Sequence, residues 1–170
     1  GAQKGFLLLE KDGRWLIEAA GDADQPEAFV LKSMPLEENG RQKLSPAIVN
    51  YVSRTHETVG LNDPDAEGRF TNDPHVRQHQ TKSILCKPVI KQAELIGILY
   101  LENNLAANAF VPGRLEAIEI LSSQIAVSLE NARLYHETKR LNTDLERAAK
   151  ALEEYNRTLE QRVKERTHEL

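Results

Sequence analysis

The 170 residues hold one cysteine, one methionine and one tryptophan, and aromatic side chains make up only 5% of the chain. A single cysteine excludes an internal disulfide, an all-cysteine metal site and any mechanism that needs a resolving cysteine in the same chain. It is the usage of a reducing cytoplasm. No apolar run approaches the roughly 18 residues that span a bilayer, and no charged-then-apolar leader opens the sequence, so a soluble fragment without membrane contact is expected. Excess positive charge is missing too. The net charge is −4, with nine Lys or Arg against eight acids in Asn131 to Leu170 and 13 against 18 before it. Neither part carries the basic footprint that nucleic-acid binding requires.

What is present is material for one core, 40% apolar and 28% charged. Gly5 to Glu10 and Arg14 to Ala20 are β-type runs around Lys11-Asp12-Gly13, and Asp-Gly between apolar runs signals a hairpin. "AFVLKSMPL" reads as a shorter strand that ends before Pro35. Ser45-Pro46 followed by Ile48, Val49 and Val52 combines an N-cap, a first-turn proline and helical spacing. From Thr55 to Lys82 the composition turns polar, which predicts an exposed, mobile excursion over one sheet face, with one short strand near Thr58 to Leu61. "SILCKPVIK" and "ELIGILYLE" form a second hairpin across Gln92-Ala93, with Ile96, Ile98 and Tyr100 on one face and Leu95 and Leu99 on the other. Pro88 points to a bulge or an unpaired position, and Gly97 to a close approach.

The grammar changes at Pro112. Neither Pro nor Gly follows Gly113, and 59 residues of helix would reach about 90 Å. Leu134, Leu141, Ala148 and Tyr155 recur every seven residues, as do Thr138, Leu145, Leu152 and Leu159, which makes an a/d seam. The step of four from Leu159 to Val163 is a stutter, and a new phase runs through Arg166 or Thr167 to Leu170. The chain therefore divides into a globular part, 1–130, and a coiled coil, 131–170.

No Ser/His/Asp set, P-loop or paired carboxylates stand at motif spacing, so the fragment reads as non-enzymatic. Cys86 sits on a strand, and its neighbour Lys87 points to the opposite face, so the thiol reads as buried and inert rather than nucleophilic. "DPDAEGRFTNDP" imitates a calcium loop at Asp63, Asp65, Glu67 and Gly68, but Pro74 stands where a bidentate Glu belongs. His75 and His79 could chelate a metal if helical; without a further ligand nearby they read as a partly exposed loop pair.

"SILCKPVIKQAELIGILYLENNLAANAF", "VPGRLEAIEILSSQIAVSLENARLY" and, upstream, "GLNDPDAEGRFTNDPHV" resemble a GAF domain, and more narrowly the GAF domains of bacterial hybrid sensor kinases. The tail "LEQRVKERTHEL" is similar to the signalling coiled coils that lead from such domains to a kinase, a further sensor or a cyclase. The resemblance implies an α+β fold, with a PAS-like antiparallel sheet flanked by helices and a long C-terminal coiled-coil helix. The helix that usually precedes the first GAF strand is absent from this numbering. The resemblance also implies a regulatory sensor module, with no cofactor and an unknown small-molecule ligand held between the sheet and the excursion by Asn50, Arg54, Phe70, Asp73 and His75. A parallel homodimer would close along Leu141, Leu145, Ala148, Leu152, Tyr155 and Leu159 and pass its signal to an output domain of the same chain, such as a histidine kinase. Two alternatives stay open: a cyclic-nucleotide-binding GAF domain regulating a cyclase, and a structural dimerisation domain without ligand. The family's cyclic-nucleotide signature is unmatched, since no Glu follows Asp73 and no Asn-Lys precedes Phe70.

Overall fold

The computed structural model describes residues 1–23, 33–63 and 68–168, with side chains to Lys164. Two compact units emerge, Gly1–Val127 and Ser128–Leu170. In the first, strands β1 (Lys4–Lys11) and β2 (Arg14–Asp22) form the opening hairpin. Asp12 (φ 51°) and Gly13 (φ 73°) both take the left-handed conformation that a two-residue hairpin turn demands. β3 (Met34–Pro35) pairs with β2 at the sheet edge. The third strand therefore includes Pro35 rather than ending before it, as an edge position permits; the start of that candidate, 28–32, lies outside the described residues. β4 (Glu37–Glu38) and β5 (Arg41–Gln42) make a separate small hairpin through Asn39 and Gly40, both at positive φ.

Helix α1 (Pro46–Thr55) is capped by Ser45, whose hydroxyl accepts from the Ile48 N–H, and buries Ile48, Val49 and Val52. Full burial of each such side chain is worth about 1.5–3 kcal/mol. After β6 (Val59–Leu61) comes a second helix, α2 (Pro74–His79), inside the segment expected to be only loop and one strand. Asp73-Pro74 starts it just as Ser45-Pro46 starts α1: an acceptor side chain at the N-cap, then a residue whose missing N–H costs nothing there.

β7 (Ser83–Lys91) and β8 (Glu94–Asn103) complete an antiparallel sheet ordered β3-β2-β1-β8-β7-β6. Pro88 keeps its place in the β7–β8 ladder opposite Ile98. β6 pairs only with Ile84 to Cys86, so on its other side Pro88 has no partner strand that would need its N–H. The bulge falls one residue later. Ile96 is left without an opposite, and parity is reversed beyond it, so Leu95 packs against the cluster of Ile98 and Tyr100 instead of facing away with Leu99. The sheet's inner face, covered by α1, carries Leu8, Ile17, Ile84, Cys86, Ile98 and Tyr100, all 0% exposed. On the outer face Leu85 packs with Ala109, Phe110 and Ile118, the last on α3 (Pro112–His168).

In the second unit every described side chain after Glu130 is exposed. The Arg166, Thr167 and Leu170 phase of the seam lies beyond the described side chains. Among the described residues no helix is long and apolar enough to cross a membrane.

Candidate functional site

The inner face ends in two cross-strand rows. Register aligns Asp22, Lys4 and Glu102 across β2, β1 and β8, and one step inward Ala20, Phe6 and Tyr100. Strand alternation puts both rows on the α1 side. Phe6 meets Tyr100 edge-on, centroids 6.2 Å apart. Ala20 fills little of the space beside it, and a cavity of about 440 Å³ remains. Its walls are Lys4, Phe6, Ala20, Gly21 and Asp22 from the sheet, Arg41, Gln42 and Lys43 from β5 and its exit, and His79 from α2. That size lies within the ~300–1,000 Å³ usual for ligand sites.

Behind the cavity lies a buried polar network that joins both helix starts to the sheet. The Ser45 hydroxyl donates to Asp73 Oδ2 at 2.7 Å, while Asp73 Oδ1 accepts from the His75 and Val76 N–H groups. Each N-cap thus holds its own helix and the other cap, with Ser45 0% and Asp73 6% exposed. The Ser45 N–H donates to the Tyr100 hydroxyl at 3.4 Å. Burial first, and the charge of Glu102 second, push that phenol well above the usual tyrosine range.

His75 and Glu102, each 1% exposed, meet at 2.9 Å between Nε2 and Oε2. The other ring nitrogen, Nδ1, faces the Gln42 carbonyl at 3.3 Å. A carbonyl only accepts, so a hydrogen bond at this contact is one that Nδ1 donates. Lys4 Nζ stands 3.8 Å from Glu102 Oε1, an ion pair too long for a hydrogen bond, and that buried oxygen has no hydrogen-bond partner among the described residues. Gln42 Oε1 is orphaned in the same way. The His79 ring lies 4.3 Å from that of His75, centroid to centroid, and its Nδ1 approaches the His75 carbonyl at 3.1 Å.

The five residues expected to meet a ligand fall into two places. Asn50, Arg54 and Phe70 line an opening of about 490 Å³ beside α1, with Tyr51 between them. There Phe70 meets Tyr51 edge-on at 6.0 Å and Arg69 lies over the Tyr51 ring. Asp73 and His75 belong to the buried network instead. The two histidines are not a partly exposed loop pair: they sit one turn apart on α2, with His75 buried. Among the described residues no group of three or more His, Cys, Asp or Glu could hold a metal ion, and 64–67 of the calcium-loop imitation lie outside them. Cys86 is fully buried, and burial drives its thiol far above the usual cysteine range. The pocket of Lys4, Arg41 and His79 escaped the sequence reading. Its one signal was the small-residue run Ala19-Ala20-Gly21 within a strand.

The family profile described as GAF domain matches residues 1–129. The chain belongs to the GAF family. It is 34% identical over 134 residues to "Hybrid signal transduction histidine kinase G" of Dictyostelium discoideum, covering 79% of this chain and 4% of that protein. It is 24% identical over 140 residues to "Peroxide stress-activated histidine kinase mak3" of Schizosaccharomyces pombe, covering 81% and 6%. In fold it matches the GAF domain of a two-component sensor histidine kinase from Bacillus halodurans with a TM-score of 0.53, 17% identity and coverage of 79% of this chain and 86% of that one. This GAF chain therefore spans only a small fraction of the curated relatives it matches.

Proposed function

We propose that this GAF chain is a non-catalytic sensor module that dimerises in parallel through α3 and passes a ligand-dependent bias to an output domain of its parent protein, such as a histidine kinase. The observation that carries the reading is the stripe on α3. Leu141, Leu145, Ala148, Leu152, Tyr155 and Leu159 are all exposed in the single chain, up to 69% at Leu145, at alternating steps of four and three. A leucine stripe at that spacing is stable in water when a second helix covers it. Histidine kinases among the relatives support the kind of output, and a parallel pair is the arrangement in which two continuing chains would meet side by side. The cavity on the inner face favours a ligand-responsive domain over a purely structural one.

The 170-residue chain should sediment as a dimer and Leu152→Asp as a monomer, since the substitution puts a charge on each side of a buried seam. An Asp variant that stays dimeric would overturn the reading.

A further inference from the structure

The proposed parallel dimer leaves open what makes one chain choose a second copy of itself in a single alignment. On α3 the steps of three and four fix the heptad: Thr138, Leu145, Leu152 and Leu159 are a positions, and Leu134, Leu141, Ala148 and Tyr155 are d positions. One heptad before Thr138 the a position holds Asn131, which is exposed in the single chain. Charge beside the seam gives little guidance. The e and g positions from Asn142 to Thr158 are Asn142, Asp144, Ala149, Ala151, Asn156 and Thr158, and Asp144 stands 3.5 Å from Arg147 of its own helix. Interhelical ion pairs, which commonly set partner and orientation from e and g, cannot form among these residues. Thr143 and Thr158 turn their hydroxyls back onto the Lys139 and Glu154 carbonyls at 3.0 and 2.9 Å. The Asn131 amide and the Thr138 hydroxyl make no hydrogen bond among the described residues.

We infer that Asn131 sets the alignment of the seam: it meets its own counterpart, amide to amide, and so selects an identical chain that is parallel and in register. A primary amide carries both donor and acceptor, so two of them facing across a two-fold axis satisfy each other. Sliding one chain by a heptad sets Thr138 against Leu145, and sliding it by two sets Asn131 there. An antiparallel copy would set each a position against a d position, where only Tyr155 has a polar tip, and a single hydroxyl meets one end of the amide. A buried amide left partly unpaired is costly, so these alignments lose to the in-register one. The same layer weakens the dimer, because an apolar side chain there would bury more apolar surface. The inference rests on the proposed dimer and goes beyond it in naming the residue that chooses partner and alignment.

Spin labels at His136→Cys or Arg157→Cys, both on the helix face opposite the seam, read the alignment of the 170-residue chain in a Cys86→Ala background. With Asn131 in place, the label-to-label distance should be single and the same at both sites. With Asn131→Val the chain should stay dimeric, with a dissociation constant at least about tenfold lower, as removal of a polar a-layer implies. Longer distances should then appear beside the first, since each heptad of slip moves the labels about 10 Å along the axis. Thr143→Val, on the outer face, should change neither reading. A single unchanged distance in Asn131→Val, or weaker dimerisation by that variant, overturns the inference and leaves the parallel dimer standing. Unequal distances at the two sites with Asn131 in place, or a monomer in sedimentation, overturn the dimer reading itself and the inference with it.

Discussion

A lone cysteine between Leu85 and Lys87 on an apolar strand has little to be but core, and it is 0% exposed. Burial also holds its thiol protonated, so folding and ionisation are linked. The unfolded chain releases the cysteine proton above a pKa of about 8.5 and the tyrosine proton above about 10, while the folded chain keeps both at Cys86 and Tyr100. Stability is therefore complete below pH 8.5 and falls as pH rises, by about 1.4 kcal/mol per unit for each group that ionises only when unfolded. Denaturant melts from pH 8 to 10 should show this slope, and Cys86→Ala should flatten it; an unchanged slope would show that the thiol is not its source. The Ser45–Asp73 bond could not be read in the same way, because each residue announces a local cap and nothing in the sequence says that two caps 28 positions apart are neighbours. Asp73→Ala removes an N-cap and leaves a buried hydroxyl with one partner fewer, so it should cost about 2–4 kcal/mol in unfolding free energy. A loss below 0.5 kcal/mol would mean that the caps stand independently.

Elements were legible where local pattern and burial agree. Both long hairpins, α1 and α3 follow from alternation, capping and helical period, all of them local signals that need no tertiary contact. Helix α2 was missed because "DPHVRQH" is short and polar and buries only His75 and Val76, too little for a periodic signal. The bulge at Ile96 was missed because an extra residue leaves no mark in composition; only the partner strand reveals that Val89 and Ile90 face Gly97 and Leu95. The β7–β8 turn carries a testable cost. Gln92 and Ala93 occupy positive φ (49° and 67°), where the first hairpin uses Asp-Gly. A left-handed residue with a Cβ costs roughly 1–2 kcal/mol, against about 0.4–1 kcal/mol of extra unfolded-chain freedom for glycine. Ala93→Gly should therefore raise the melting temperature slightly, by the equivalent of about 0.5–1 kcal/mol. A lower melting temperature would mean that the turn is unstrained.

Across the molecule, the consequence of the fold lies in how evenly the proposed seam can close. Thr138 and Ala148 are small or polar where Leu141, Leu145, Leu152 and Leu159 are large, so two paired helices would meet tightly in some layers and loosely in others. The step of four from Leu159 to Val163 adds a phase change, which unwinds a left-handed supercoil locally and lets the helices before and after it hold different rotations. We propose that such a seam would have two packings of similar free energy, so that a ligand binding one better would shift the balance by its difference in affinity. Deleting Glu160 to Val163 removes the inserted step and brings Arg166 and Leu170 onto the a and d positions after Leu159, so the heptads run on unbroken. Two outcomes should follow together. The dimer of the shortened chain should melt at a higher temperature than the native one, because every layer now fits a single supercoil. The parent protein carrying the same deletion should show an output rate fixed at one level, whether or not the sensor is occupied. A parent protein that keeps its full range of regulation without these four residues would show that the signal passes by some route other than a repacking of this seam.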